Sequence, residues 1–488
     1  MKTILANVVP EETRLAIVSD DDGELEMVEY ERGSTAHLVG NIYRGKVQNV
    51  LPGMQAAFVD IGEEKNAFLY IGDGLPYGEG EARQLSHAKI HIGQVLPVQI
   101  VKDAVGTKGP RATMHISLPG RLLVLMPTAA YIGLSRRISD EEERERLHSI
   151  AGRICPEGMG LIIRTAATGA SEQELQADVS SQLRIWEGIL ARFKLKGRKK
   201  GALLFRDADL LIRSVRDQLT EDVSAMVVDD HSAYLRVKEL AEALVPELAG
   251  RVKYYEGKRP LFQEYQVERE LEKLGARQVE LKSGGFLVID KTEALTVIDV
   301  NTGSFVGRSS LADTVYQLNL EAATEIMKQI RLRDIGGIII VDFIDMDSEE
   351  QKESLLQNMR ELTAKDRTKM SIVDITSLGL VEITRKKSRT NLETLIYTDC
   401  PVCQGRGRVE SPETVSIRIS RDIRRLEKKC HAVDGYDIEV HDSVADELGA
   451  NQLLMDLAAE FAFDLKVIAR PDFHPESYTI VRTSLEDN

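Results

Sequence analysis

The sequence predicts a multidomain α/β protein that carries one small β-barrel. Three observations lead to this. The chain has 488 residues, a length that supports about three or four domains. Residues 294–347 read as strand, helix, strand, which is a βαβ crossover with parallel strands. Residues 38–116 break into short, evenly spaced strands, the pattern of a small barrel.

Composition limits what such a chain does. Hydrophobic residues make up 43% and aromatics only 5%, with Trp186 the sole tryptophan. The cores are therefore aliphatic. The net charge of −15 excludes a generally basic nucleic-acid binder, so contact with an anionic polymer must come from local patches. Four cysteines in so long a chain make no disulfide framework. No apolar run reaches membrane-spanning length, and MKTILANVVPEETR lacks the apolar core of a signal peptide. A cytoplasmic location is expected.

In chain order, Arg14–Ser19 and Glu24–Glu31 alternate like strands around Asp20-Asp21-Asp22-Gly23, a hairpin turn. Strands at Asn41–Leu51, Gln55–Ile61, Asn66–Ile71 and Val95–Val101 form the barrel. Phe58 and Phe68 fall on neighbouring strands, and Arg44, Lys46 and Lys108 supply positive charge. Aromatics and cations on one barrel face make a stacking platform for single-stranded nucleic acid, and the same two rings pointing inward would simply fill the barrel. Asp140–Arg146 opens a charged helix. Leu161–Thr165 is a strand ending on a cation and a hydroxyl, a pair that can hold phosphate or merely face solvent. Arg192–Lys200 is the most basic local run, either a solvated linker or a source of diffuse attraction for RNA. Residues 232–249 read as helix, and Arg259-Pro260 opens the passage to the next subdomain.

The centre of the chain is the βαβ unit. Leu295–Ile298 and Ile338–Val341 are buried-strand runs, and each ends on an aspartate. Val315, Leu318, Ala322, Ile326 and Ile330 recur at helical spacing between them, Arg331 and Arg333 lie in the last turn, and Gly336-Gly337 is the expected stop. Parallel strands bring Asp299 and Asp342 to one sheet edge, where α/β proteins bind ligands. Two carboxylates there suit a hard divalent cation, with Asn301 adding a neutral polar group on the same side and Asp345 and Asp347 following. Strand-ending aspartates also serve as turn formers and caps. No histidine adjoins the pair, so a metal-activated water is the expected nucleophile if a cation binds. Ser348–Gln351 is a capping box. Arg385, Lys386, Lys387 and Arg389 are close in sequence and are expected to neutralise a phosphate backbone at the site. Cys400-Pro-Val-Cys403 supplies half of a tetrahedral zinc site, and the other half must come from a second chain or from Cys430 and His431. A redox dithiol fits the surroundings less well. Residues 411–488 read as a small α/β tail.

DVNTG, LRDIGGIIIVDFIDMD, LGLVEITRKKSR and CPVCQGRG, in this order, resemble the ribonuclease E/G family, and the likeness spans nearly the whole chain. The resemblance implies an RNase H-like subdomain in two segments, 1–37 and 205–278, completed by strands near 202–206 and 225–229. Inserted in it are an OB-fold RNA-binding barrel at 38–117 and a 5′-monophosphate sensor at 118–204. A DNase I-like catalytic subdomain at 279–399, a zinc link at 400–410 and a small domain at 411–488 complete the chain. By the same resemblance, Asp299 and Asp342 hold a catalytic Mg²⁺ with Asn301 in support, and Phe58, Phe68 and Lys108 contact RNA. Gly120, Val124, Arg136, Arg164, Thr165 and Lys369 sense the 5′-phosphate. Lys369 departs from the arginine that ribonuclease E carries there. Cys400 and Cys403 share one Zn²⁺ between two chains, making a homodimer. The implied activity is a cytoplasmic Mg²⁺-dependent endoribonuclease. It would act on single-stranded ribosomal RNA precursors and messenger RNA, leaving a 5′-phosphate and a 3′-hydroxyl.

Overall fold

The computed structural model describes residues 1–33, 38–71, 90–104, 108–195, 201–304, 311–366, 368–387, 392–429, 435–450, 453–462 and 464–483. The chain divides into two compact units, Met1–Leu395 and Ile396–Asn488.

The first unit begins with β1 (Lys2–Val8), β2 (Glu12–Ser19) and β3 (Leu25–Arg32). The expected hairpin is β2–β3, turning at residues 20–24. Next come β4 (Ile42–Leu51), β5 (Ala56–Asp60), β6 (Ala67–Tyr70), β7 (Val95–Lys102) and β8 (Arg111–Thr113). These pair in the order β4-β5-β6-β8-β7, and β7 returns to β4, so among the described residues the sheet closes into a five-stranded barrel. Ala57, Val59, Ala67, Leu69, Val98 and Ile100 fill it.

β9 (Leu118–Pro119), β10 (Leu123–Met126), β11 (Ile132–Leu134), α1 (Glu141–Ile154), β12 (Gly160–Ile163) and α2 (Glu172–Lys194) form a smaller body. Its sheet order is β11-β12-β10-β9. Asp140 caps α1, and Ser171 with Glu174 makes a capping box on α2. Trp186 lies in the aliphatic core of this body.

β13 (Leu203–Phe205) corrects one expectation. It pairs with β4 of the barrel sheet and does not join the sheet of β1, β2 and β3. After α3 (Leu210–Asp217), β14 (Val223–Val228) does join that sheet, parallel to β1. α4 (His231–Leu244) follows, and β15 (Val252–Tyr254) completes the order β15-β14-β1-β2-β3 among the described residues. Two short helices, α5 (Leu261–Glu264) and α6 (Val267–Leu274), lead to the last body of the unit.

That body contains β16 (Gln278–Glu280), β17 (Phe286–Lys291), β18 (Leu295–Asn301), α7 (Leu311–Leu332), β19 (Gly337–Asp342), α8 (Glu349–Leu362), β20 (Met370–Ile375) and β21 (Leu380–Arg385). The strand order is β16-β17-β18-β19-β21-β20. β18 and β19 are parallel, with α7 as the crossover. Alternation puts Thr296, Ile298, Val300, Ile339 and Val341 inward, against Leu318, Ala322, Ile326 and Ile330 of α7. α7 stops at Leu332, before the two glycines. Asp334 takes the left-handed turn (φ 49°), and the Ile335 N–H reaches back to the Ile330 carbonyl. Leu332 and Leu392 pack with Leu5, Ala16 and Val18, which ties this body to the first sheet.

The unit boundary falls within α9 (Leu392–Ile396). The second unit has α10 (Pro412–Lys429), β22 (Gly435–Val440), α11 (Asp442–Ala450), α12 (Leu453–Phe461), β23 (Asp464–Ala469) and β24 (Tyr478–Thr483). Its sheet order is β23-β22-β24, covered by Val415, Ile419, Val444 and Leu457 from the helices. No helix among the described residues is long and apolar enough to cross a membrane.

Candidate functional site

β18 and β19 pair so that Asp299 lies directly opposite Asp342, the last pair of their ladder. Because Ile298, Val300 and Val341 face the core, Asp299 and Asp342 both face out, and both are exposed. Asn301, two residues on, shares that face, and its amide Nδ2 donates to Asp299 Oδ2 at 2.9 Å. The two aspartates, far apart in sequence, thus form one open pair on the sheet surface. Asp342 holds its proton more tightly than an ordinary carboxyl. The causes are partial burial, then the negative charges of Asp299 and Asp345. A cation between these oxygens would relieve that repulsion. Asp345 joins the group electrostatically and Asp347 does not figure in the shift. Gly303 ends the loop at φ +53°, where a Cβ would lie 2.4 Å from the Gly284 carbonyl oxygen, so the turn after Asn301 needs glycine.

Sequence reasoning missed Asn319. This α7 residue is fully buried. Its Nδ2 donates to the Ile344 carbonyl (2.8 Å), and its Oδ1 accepts from the Ile344 N–H (3.2 Å). It thereby fixes the chain between Asp342 and Asp345. The signal was an asparagine four residues after Val315, on the apolar stripe of the helix.

The basic run lies elsewhere than expected. β21 is antiparallel to β19, with Leu380 opposite Asp342 and Arg385 opposite Gly337. Arg385 therefore sits at the far edge of the sheet, about 17 Å along the strand from the aspartates. It is buried and bound to Asp366 (2.8 Å) and Asp334 (2.5 Å). Burial works against its charge, and the hydrogen bonds to Asp366 and Asp334 outweigh it. It is unavailable to a phosphate backbone. Lys386 and Lys387 are exposed at that same far edge, and Arg389 lies outside the described residues.

On the barrel, Phe58 and Phe68 are register partners on β5 and β6. Their rings meet edge to face, with centroids 5.9 Å apart. Ala57, Val59 and Leu69 point inward, so both rings are on the outer surface and the core-filling alternative is ruled out. Arg111 is the register neighbour of Phe68 and lies over the Tyr70 ring. It extends the platform in a way the sequence did not reveal. Lys108 is exposed next to this strand. Arg44 does not belong to the platform, because its guanidinium stacks on Phe193 of α2.

The smaller body gathers the third group. Arg164 follows β12, and its Nη1 donates to the Gly120 carbonyl and to Asp217, both at 2.7 Å. Burial opposes the charge on Asp217. Hydrogen bonding and attraction from Arg216, then Arg164, outweigh it and hold the carboxyl below its usual range. The Thr165 and Ser135 hydroxyls are 2.9 Å apart, which puts the exposed Arg136 beside Thr165. Val124 lies on β10, paired with Pro119 and with Ile162 of β12. Gly120 is needed as glycine, since a Cβ there would meet the Asp178 carboxylate at 2.5 Å. Lys369 belongs to the body of the six-stranded sheet that carries Asp299 and Asp342, and is exposed.

In the second unit, Cys400 and Cys403 form a compact knuckle. Backbone N–H groups of Cys403 and Val402, and the Cys403 thiol, lower the Cys400 pKa. The Gly407 N–H points at Cys403 Sγ (3.3 Å). Among the described residues no cluster of three or more candidate metal ligands occurs. Cys430 and His431 lie outside the described residues.

Comparison with known proteins matches residues 117–388 to the model of the Ribonuclease E/G family. The chain is 41% identical over 491 residues to Ribonuclease G of Escherichia coli (strain K12), covering 98% of this chain and 99% of that protein. It is 43% identical to Ribonuclease G of Haemophilus influenzae over 431 residues, 87% of each chain. It is 38% identical to Ribonuclease E of Nostoc over 405 residues, 82% of this chain and 58% of that longer protein. The chain belongs to the ribonuclease E/G family.

Proposed function

We propose that this protein is an endoribonuclease that hydrolyses single-stranded RNA with Mg²⁺ and favours substrates bearing a 5′-monophosphate. The observation that carries the proposal is the Asp299–Asp342 pair, aligned in register on an exposed sheet edge, with Asp342 raised by partial burial and then by the charges of Asp299 and Asp345. Two exposed carboxylates suit Mg²⁺, which keeps several waters and takes few protein ligands. Held by Asp299 and Asp342, it would withdraw charge from the scissile phosphate and activate a water. The protein supplies the rest. Asn301 orients Asp299, and Asn319 holds the chain next to Asp342. Phe58, Phe68, Lys108 and Arg111 offer stacking and charge to a single strand. Hydrolysis adds water to phosphorus and breaks the bond to the upstream 3′-oxygen, leaving a 3′-hydroxyl and a 5′-phosphate.

The five positions Gly120, Val124, Arg136, Arg164 and Thr165, with Lys369, form the proposed 5′-end pocket. Ribosomal RNA precursors and messenger RNA are the proposed substrates, as the relatives' family implies. The lowered Cys400 thiol suits Zn²⁺, and we assign the two missing ligands to the same cysteine pair of a second chain, giving a homodimer. The test is incubation of a 5′-monophosphorylated single-stranded RNA with the protein, with and without Mg²⁺. Internal cuts only with Mg²⁺, at ends carrying 5′-phosphate, are expected. Intact RNA, or equal cutting by an Asp299→Asn, Asp342→Asn double variant, would refute the proposal.

A further inference from the structure

The proposed 5′-end pocket is built from two bodies of the first unit. Gly120, Val124, Arg136, Arg164 and Thr165 come from the small body, and Lys369 comes from the catalytic-sheet body. Something must hold the two parts in one geometry, because a phosphate is bound only where donors converge. Asp366 stands at this junction and bonds in three directions. Its backbone carbonyl accepts from Nη2 of Arg137 at 3.0 Å, and Arg137 is the neighbour of Arg136. Its Oδ1 accepts from the Thr368 N–H at 2.8 Å, which turns the chain just before Lys369. Its Oδ2 accepts from Arg385 at 2.8 Å, deep in the protein, where both side chains are about 5% exposed or less. Arg385 also binds Asp334 and the Ile335 carbonyl, at the start of the strand that ends on Asp342. The ladder continues from there, since the Lys386 N–H donates to the Lys369 carbonyl at 3.0 Å.

We propose that Asp366 is a positioning residue for 5′-end recognition. With Arg137 as its tie to the small body and Arg385 as its anchor in the sheet of Asp299 and Asp342, it fixes the backbone next to Lys369 against the body that carries Arg136, Arg164 and Thr165. This rests on the 5′-end reading given above. The physical basis is preorganisation. Lys369 is a flexible point charge without the planar fork of arginine, so its contribution depends on where its backbone is held. Arg137 differs from Arg164, which bonds to Gly120 and Asp217, in that its bond goes to the body that carries Lys369.

The experiment compares kcat/KM for one single-stranded RNA sequence carrying either a 5′-monophosphate or a 5′-hydroxyl. The ratio of the two is the end advantage. Arg137→Ala should cut the advantage by about tenfold, the scale of one charge-assisted hydrogen bond. The 5′-hydroxyl rate should stay within about twofold of the wild type. Lys369→Ala should also cut the advantage. The double variant should be no worse than the poorer single variant, because Arg137 acts through Lys369. Asp366→Asn keeps the shape and should lower the advantage in the same way. If it does not fold, the Arg137 and Lys369 cycle decides alone. An unchanged advantage in Arg137→Ala overturns the proposal. So do losses that multiply in the double variant, which would mean Arg137 touches the phosphate directly. A wild-type advantage of one would overturn the end-sensing reading itself, and this inference with it.

Discussion

Asn319 gives the sharpest test of how the Asp299–Asp342 edge is held. It is fully buried, and its amide makes two hydrogen bonds with the backbone of Ile344, at 2.8 and 3.2 Å. Asn319→Ala removes both. Each bond contributes about 1 kcal/mol net, so the local cost is about 2 kcal/mol. In a chain of several bodies global unfolding is not two-state, so the measurement should be local. The Ile344 N–H has lost its acceptor in the variant, and its hydrogen exchange should accelerate roughly tenfold to thirtyfold. Cleavage should fall as well, by up to about a hundredfold if Asp342 shifts by an ångström. Asn319→Asp should be worse near neutral pH, because a buried carboxylate oxygen would then face the Ile344 carbonyl. Acidification should partly restore it, since the protonated acid can donate there. Unchanged exchange at Ile344 together with wild-type cleavage in Asn319→Ala would refute the reasoning.

The other predictions are independent of one another. Asp299→Asn or Asp342→Asn should lower cleavage by orders of magnitude and leave RNA affinity intact, as checked by filter binding. Because Asp342 is raised, it is neutralised at higher pH than an ordinary carboxyl as the solution is acidified. Cleavage at limiting Mg²⁺ should therefore fade before the usual carboxylate range is reached, and more Mg²⁺ should move that loss to lower pH. Phe58→Ala or Phe68→Ala should weaken single-strand binding by about 1–3 kcal/mol, measured by anisotropy, with little effect on the fold. Cys400→Ser with Cys403→Ser should release zinc and loosen the dimer in sedimentation, with about half a zinc per chain in the wild type.

Local chemistry made much of this protein legible. Asp20 to Gly23 is a turn wherever it occurs between alternating strands. The spacing of Leu318, Ala322, Ile326 and Ile330 defines a helix with one apolar face. Two short apolar runs around such a helix leave a parallel pair as the natural outcome, so the sequence alone placed Asp299 and Asp342 at one edge. What it could not decide are facts of long-range pairing. Proximity in sequence suggested that Arg385 serves the aspartates, yet the antiparallel return of β21 carries it to the opposite edge, into the Asp334–Asp366 pair. Phe58 and Phe68 fit either side of a strand until Val59 and Leu69 take the inside. Residues 203–205 have the pattern of a strand but no information on a partner, and β4 supplies one. Asn319 and Asp366 were silent for the same reason. Their partners, Ile344 in one case and Arg137 and Arg385 in the other, lie on other elements of the chain, and only tertiary packing, within one body or between two, brings the donors and acceptors together.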